Sequence, residues 1–570
     1  MKKNIIFIAS FCFILLSCQD VLDKQDLTAV NETDVWNDIQ LATAYISNIY
    51  NDNLPDWSSA EASQSDESQG GSSYMYGQLT ENSIDYWPYS QLREINILVK
   101  NIDEGTLLQE DKNKLKGEAL FFRAYRYFEM MKRYGGVPLI LVPQERNDDL
   151  LVSRSSTSDT FKQIITDLND AINYLPAVSS TSGNNNGRVH KGTAMALKGR
   201  ILLYWASPQF DPKQLSTDRW QEAYKSNLEA IEQLEKDGYG LYESFENIWF
   251  NKMNKEVIFV TRYERPIKTH NWAAATRPLD VSQNATGANW PILEMINSFP
   301  MKDGKSIDDP ASVYTYDNGY YWKDRDPRFQ ATIAYNGCLW ELQPIGTGRI
   351  QWTFSGAESN NPTRTGFYTR KAVDISQNAT EASLGDTDWI EIRFAEVLLN
   401  FAEAANKTGR IEEAYDALKK IRDRAKIEPG VDEMYGLKQG MNMSEMHNAI
   451  LLERKIELAY ESKRYWDLRR NRLFETLLNG TRRHGVDITR TVSQSEWNLL
   501  LNKSSSEVIE ELNNNYTNYF VHTEKEMDTQ FDIDWKENYY FFAIPSDHLQ
   551  LNSNLEQTKG WPGGTFDPLL

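Results

Sequence analysis

FAEVLLNFAEAANKTGRIEEAYDALKKIRDRA, residues 394–425, decides the fold. Phe394, Leu398, Phe401 and Ala405 recur at the spacing of one helix face. After Lys407-Thr408-Gly409-Arg410, a second stripe runs Ile411, Ala414, Leu418, Ile421 and Ala425. Two apolar stripes joined by a short glycine-containing link predict an antiparallel helical hairpin. The small side chains of Ala402, Ala404 and Ala405 allow close approach of the two helices.

Outward from this hairpin the same period recurs. Helices are predicted near 36–50, 89–103, 111–134, 158–175, 189–206, 217–236 and 444–470. Asp159 is the expected cap of the helix at 158–175, and Pro176 ends it. No alternating strand series and no βαβ rhythm is present. The middle, 241–385, has weak periodicity and many Gly, Asn, Thr and aromatic residues, so long loops with short strands or helices are expected there. Segment 475–535 is polar and gives no clear pattern. The hairpin at 394–425 resembles one tetratricopeptide-type unit, without that repeat's full consensus. The predicted class is all-α, a superhelical body of tetratricopeptide-like hairpins with an irregular, loop-rich ligand-binding face.

The N-terminus reads as a targeting segment. Lys2 and Lys3 precede an apolar run from Ile5 to Leu16, too short to span a bilayer, and Ser17 stands directly before Cys18. This order resembles a bacterial lipoprotein signal. Residues 1–17 would be removed and the Cys18 thiol would carry lipid; an ordinary secretory signal is the alternative. With Cys12 discarded and Cys18 acylated, Cys338 is left alone, so no intramolecular disulfide is expected. The formal charge of −20, from 61 basic and 81 acidic side chains, argues against nucleic acid or anionic lipid as a partner.

Six blocks extend the reading over the chain: GEALFFRAYRYFEMMKRYGGVPLI (117–140), RVHKGTAMALKGRILLYWASP (188–208), RDPRF (325–329), IRFAEVLLNFAEAANKTG (392–409), ILLERKIELAYESKRYWDLRR (450–470) and FAIPSDHLQLNSNLEQTKGW (542–561). In this order, behind a lipoprotein signal, they resemble the SusD/RagB family of nutrient-uptake lipoproteins. Ser462 stands where that family often has Gly, and Ser553-Asn554 where it often has Asn-Pro. The resemblance implies a non-catalytic, surface-exposed protein anchored by lipid in the outer membrane. It would capture oligosaccharide or polysaccharide and deliver it to a SusC-like TonB-dependent transporter. The early acids Asp20 and Asp23 accord, by the same resemblance, with surface export. Three regions follow the signal: a helical N-terminal part at 18–240, a glycan-binding region at 241–385, and a C-terminal helical part at 386–570.

Most charges in the blocks read as structural. Arg454 and Glu461 fall on the apolar stripe of Leu451, Leu458, Tyr465 and Leu468, and a charge on a buried face needs a partner. No hydrolase, nucleotide-binding or zinc-protease motif is present, and the six histidines lack metal-ligand spacing. Neither a catalytic residue, a metal nor a cofactor is therefore predicted. A helical glycoside hydrolase and a scaffold that binds only the transporter are the rival readings. Aromatic residues supply the candidate glycan site, since flat rings stack on the C–H faces of sugars. Trp272, Trp290, Trp322, Trp340 and Trp352 cluster in the middle beside Tyr321, and Tyr86-Trp87-Pro88-Tyr89 precedes a helix. The candidates are Trp87, Trp272, Trp290, Tyr321, Trp322 and Trp352, with Asn82, Asp85, Asn271 and Asn289 for sugar hydroxyls. At least two of Trp87, Trp272 and Trp322 are expected to share an exposed concavity.

Overall fold

The computed structural model describes residues 32–57, 61–182, 187–341 and 348–570. Cys18 and segment 1–17 lie outside the described residues. Counting helices of seven or more residues, the N-terminal part comprises α1 Ile39–Asn53, α2 Tyr89–Asn101, α3 Gln109–Tyr134, α4 Thr157–Tyr174, α5 Lys191–Ala206 and α6 Thr217–Lys236. The C-terminal part contributes α7 Phe394–Lys407, α8 Ile411–Arg424, α9 Met443–Glu457, α10 Arg464–Arg470, α11 Gln494–Leu501 and α12 Ser505–Tyr519. The pairs α3/α4, α5/α6 and α7/α8 pack along one another, and α7 also lies against α6 and α9. Gly409, at φ +81°, sits in the α7–α8 link, where a left-handed residue closes the first helix.

Ser156, not Asp159, caps α4: its side chain accepts the Asp159 N–H at 3.0 Å, while Asp159 lies in the first turn. The helix ends with Leu175 extended before Pro176, as the proline ring requires. The single helix expected over 444–470 is two. Tyr460 and Ser462 take positive φ of 60° and 57°, which breaks the helix between α9 and α10. Positive φ at position 462 favours glycine.

The all-α expectation needs correction to a mainly helical fold with short strands. They are β1 Val257–Thr261, β2 Ile333–Ala334, β3 Cys338–Trp340, β4 Arg349–Gln351, β5 Tyr368–Thr369, β6 Trp389–Arg393, β7 His484–Arg490 and β8 Phe520–Glu526. They pair antiparallel two by two: β1 with β6, β2 with β5, β3 with β4, and β7 with β8. Only Val486 and Ile488 alternate inward on β7, and β8 faces mostly solvent, so neither strand carries a clear period of two.

Two hydrophobic cores result. The first lies among α1–α10 and the C-terminal segment, with Phe121, Leu197, Leu398, Ala405 and Leu418 inside. The second is built largely from rings of the middle region and is completed by α12 and the paired strands β7 and β8. A buried ion network joins them. Arg393 of β6 donates to Glu256 at 2.7 Å, Glu457 at 2.6 Å and Glu461 at 2.8 Å. Arg328 reaches Asp326, Glu453 and Glu457, Arg422 reaches Glu453, and Arg424 reaches Glu256 and Glu457. Lys371 closes the set on Glu461 at 2.6 Å. Arg454 is also buried, held by Asp467 and Asn400 at 2.8 Å each. Thus Arg454 and Glu461 are both paired, though with different partners.

Candidate functional site

A cleft of about 240 Å³ opens where α3, α5, β6 and α10 meet the loop after α1. Helix α3 contributes Tyr125, Arg126, Glu129, Lys132 and Arg133, which share one face at i, i+1, i+4, i+7 and i+8. Helix α5 adds Arg200 and Tyr204, one turn apart. Strand β6 adds Trp389 and Glu391, two residues apart and therefore on one side. The break after α9 turns Ser462, Lys463 and Trp466 into the cleft, and Pro55, Asp56, Glu61 and Tyr86 close the rim.

The charges are linked through shared carboxylates. Glu129 takes Lys132 at 2.5 Å and Arg133 at 2.6 Å. Burial alone would raise the Glu129 carboxyl, but the two cations bring it down to about 2. Burial pushes the Lys132 ammonium down to about 8 against the pull of Glu129. Glu391 takes Arg200 at 2.5 Å and Lys463 at 3.2 Å, and Glu396 holds Arg200 from behind at 2.6 Å. Lys132 and Arg133 lie over the Trp466 ring, at 3.8 and 5.0 Å from its centroid. Arg126 differs from these. Its guanidinium donates to the Asn53 side chain at 2.7 Å, the Tyr86 hydroxyl at 2.5 Å and the Asp52 carbonyl at 2.6 Å, all neutral acceptors. Behind the Trp389 ring and outside the cleft lining, half-exposed Trp57 stacks one face on Trp272, 4.8 Å away at 21°, and meets Trp389 edge-on. The cleft thus sets aromatic edges and faces beside clustered donors and carboxylates, a surface suited to a hydroxyl-rich ligand. Its volume lies below the ~300–1,000 Å³ of a drug-sized site, so it fits one ring or one end of a chain.

The sequence-predicted residues fall elsewhere. The expected shared concavity of Trp87, Trp272 and Trp322 does not form. Trp272 is 3% exposed and backs Trp57, its indole N–H donating to the Lys371 carbonyl. Trp290, Tyr321 and Trp322 are also buried, and Trp322 stacks on Tyr335. Asn289 is buried beside Trp290, and Trp352 is half-buried against Trp497. The cause is physical. A region with few helical faces makes its core from large rings, each able to remove 150–250 Å² from water. Trp87 is half-exposed, but His548 stacks on it at 4.9 Å and 20°. Asp85 bonds His548 at 2.9 Å, and Asn82 accepts the Ser546 N–H at 2.8 Å, so both tie this loop to the C-terminal segment. Asn271 is exposed beside buried Trp272. The cleft residues passed unnoticed among the structural blocks. Their signal was Arg126, Glu129, Lys132 and Arg133 at helical spacing in the C-terminal half of α3, which is otherwise mainly apolar and aromatic apart from Arg123.

Comparison with known proteins agrees with this architecture. The profile described as the SusD family matches residues 219–561, and one described as "Starch-binding associating with outer membrane" matches residues 12–203. A SusD-like protein of Formosa agariphila is 25% identical over 397 residues, which are 68% of this chain and 71% of that one. The crystal structure of a SusD-like protein from Bacteroides fragilis superposes with a TM-score of 0.74 at 26% identity, covering 94% of this chain and 99% of that one. A laminarin-binding SusD-like protein shares the fold at 19% identity and a TM-score of 0.58, with 92% of this chain and 100% of that chain covered. With more than half of its length matched by the first profile, the chain belongs to the SusD family.

Proposed function

We propose that the protein binds oligosaccharide in the cleft between α3, β6 and α10, without cleaving it. One observation carries this reading: half-exposed Tyr86 and the rings of Trp389 and Trp466 line a cleft together with hydrogen-bonding charges, in a member of the SusD family. Sugars need both, a ring against their C–H face and polar groups for their hydroxyls. The laminarin-binding relative of the same fold supports the choice of ligand class. Lipid on Cys18 would hold the protein to the outer membrane, facing outward, and a SusC-like TonB-dependent barrel would receive the sugar. The helix pairs α3/α4, α5/α6 and α7/α8, read as tetratricopeptide-like units, would dock that barrel. Among the described residues no helix is long and apolar enough to cross a membrane.

Calorimetry against an oligosaccharide panel, with reducing-end release measured on the same samples, tests the reading. Binding without release is expected, and loss of binding in Tyr86→Ala by about 2 kcal/mol or more, as for other aromatic anchors. Release of reducing ends would favour the hydrolase instead. Copurification of a barrel with no affinity for any sugar would favour the scaffold. Cys18→Ala should leave the protein in the soluble fraction and unlabelled by palmitate.

A further inference from the structure

The guanidinium of Arg126 has incomplete bonding of a kind that points to a ligand: it lines the cleft and is bonded to neutral acceptors only. An arginine carries five N–H donors in a planar fork. Asn53, Tyr86 and the Asp52 carbonyl take three, and no carboxylate among the described residues pairs with it. It is half-exposed and lines the cleft. Beside it, Lys132 and Arg133 share the single carboxylate of Glu129. The α3 face therefore presents three cations against one anion. Of the other acids in the lining, Glu61 also acts on Lys132 and Arg133, and Glu391 is taken by Arg200 and Lys463; none of them is bonded to Arg126. Glu61 accepts the Trp466 indole N–H at 3.1 Å, and Asp56 is exposed at the rim. The chain as a whole carries −20, so its general field repels anions and only a local cluster of cations can seat one.

We infer that the cleft takes an acidic sugar, its carboxylate or sulfate ester meeting Arg126 with Arg133 beside it, so that the ligand is an anionic oligosaccharide. This rests on the glycan reading above and narrows it to a chemical class. Guanidinium and oxyanion match as a two-pronged pair, and such charge-assisted bonds are roughly twice as strong as neutral ones. A neutral sugar would leave the free N–H groups of Arg126 to water.

Paired probes test this on the unaltered protein by calorimetry: oligogalacturonate against its carboxyl-reduced counterpart, and a sulfated galactan oligosaccharide against its desulfated one. At least one acidic member should bind, and its neutralised counterpart should bind between about tenfold and about a hundredfold more weakly, the loss expected when a charged hydrogen-bonded pair is removed. The pair that responds identifies the oxyanion as carboxylate or sulfate. Arg126→Gln should reproduce the loss, and Arg126→Lys, which keeps the charge without the fork, should fall between. Melting curves confirm that the variants fold; if they do not, the ligand pairs decide alone. Equal affinity for both members of each pair, or binding of neutral laminari-oligosaccharides only, overturns the inference and leaves the glycan reading standing. Binding of no oligosaccharide of any kind overturns both.

Discussion

Two regions of this molecule concentrate charge, and they use it differently. In the network around Arg393, the glutamates 256, 453, 457 and 461 are each bonded by at least two cations, and exposure is at most 5%. In the cleft the same residue types line a space that water reaches. Glu129 and Glu391 each serve two cations there, and Arg126 rests on neutral acceptors. Residue type does not separate the structural charge from the functional one. The difference is whether the protein itself supplies all the partners.

The largest expected effect belongs to the sealed network. Arg393→Met removes one cation from each of Glu256, Glu457 and Glu461 and leaves the set short of positive charge, and breaking such a buried set costs about 3–5 kcal/mol. Urea denaturation should show this as a lower midpoint. A loss below about 1 kcal/mol would mean that water enters the network and that the contrast with the cleft is unfounded.

Acid should separate the two regions next. Burial would raise the carboxyls of Glu457 and Glu461, but Arg424, Arg393 and Lys371 hold both below the usual glutamate range. Their folded pKa values lie under the unfolded value of about 4.3, so their contribution is full above it and is lost as pH falls toward the folded values. Stability should therefore drop steeply below about pH 4, and Arg393→Met should flatten that limb. Glu67 works in the opposite sense. Burial raises it to about 7, so its contribution is present below about pH 4.3 and fades as pH rises toward 7. In the cleft, Glu129→Gln should cost less than the loss of Arg393, roughly 1–2 kcal/mol, because the freed Lys132 and Arg133 lie within reach of water.

The smallest change sharpens the geometry. Ser462 holds φ +57° in the break that delivers Lys463 and Trp466 to the cleft. Ser462→Gly removes the left-handed strain at the expense of a freer unfolded chain, and should stabilise by a few tenths to about 1 kcal/mol. Destabilisation instead would show that the serine side chain has a role of its own.

The helical framework was legible because amphipathic helices advertise their buried face. Phe394, Leu398 and Phe401 fix α7, and Thr217–Lys236 appears within the bounds its pattern predicts. The need of Arg454 and Glu461 for buried partners was legible too, since the stripe around them is apolar. The partners were not, because Asp467 lies beyond a break in the helix and Arg393 some seventy positions upstream. Aromatic residues misled for a related reason. Trp272 and Trp322 have the composition of a sugar platform, yet a loop-rich region without them would have no core. The cleft itself joins residues from 55 to 466, and no local pattern in the chain encodes that meeting.

Hydrogen–deuterium exchange with and without saturating oligosaccharide tests the central claim, that the cleft is the ligand site, most directly. Protection should concentrate at 54–57, 84–89 and 125–133, the segments that carry Asp56, Tyr86, Arg126 and Arg133. Protection confined to the aromatic middle region, around 280–290 and 355–365, with no change along α3, would contradict it.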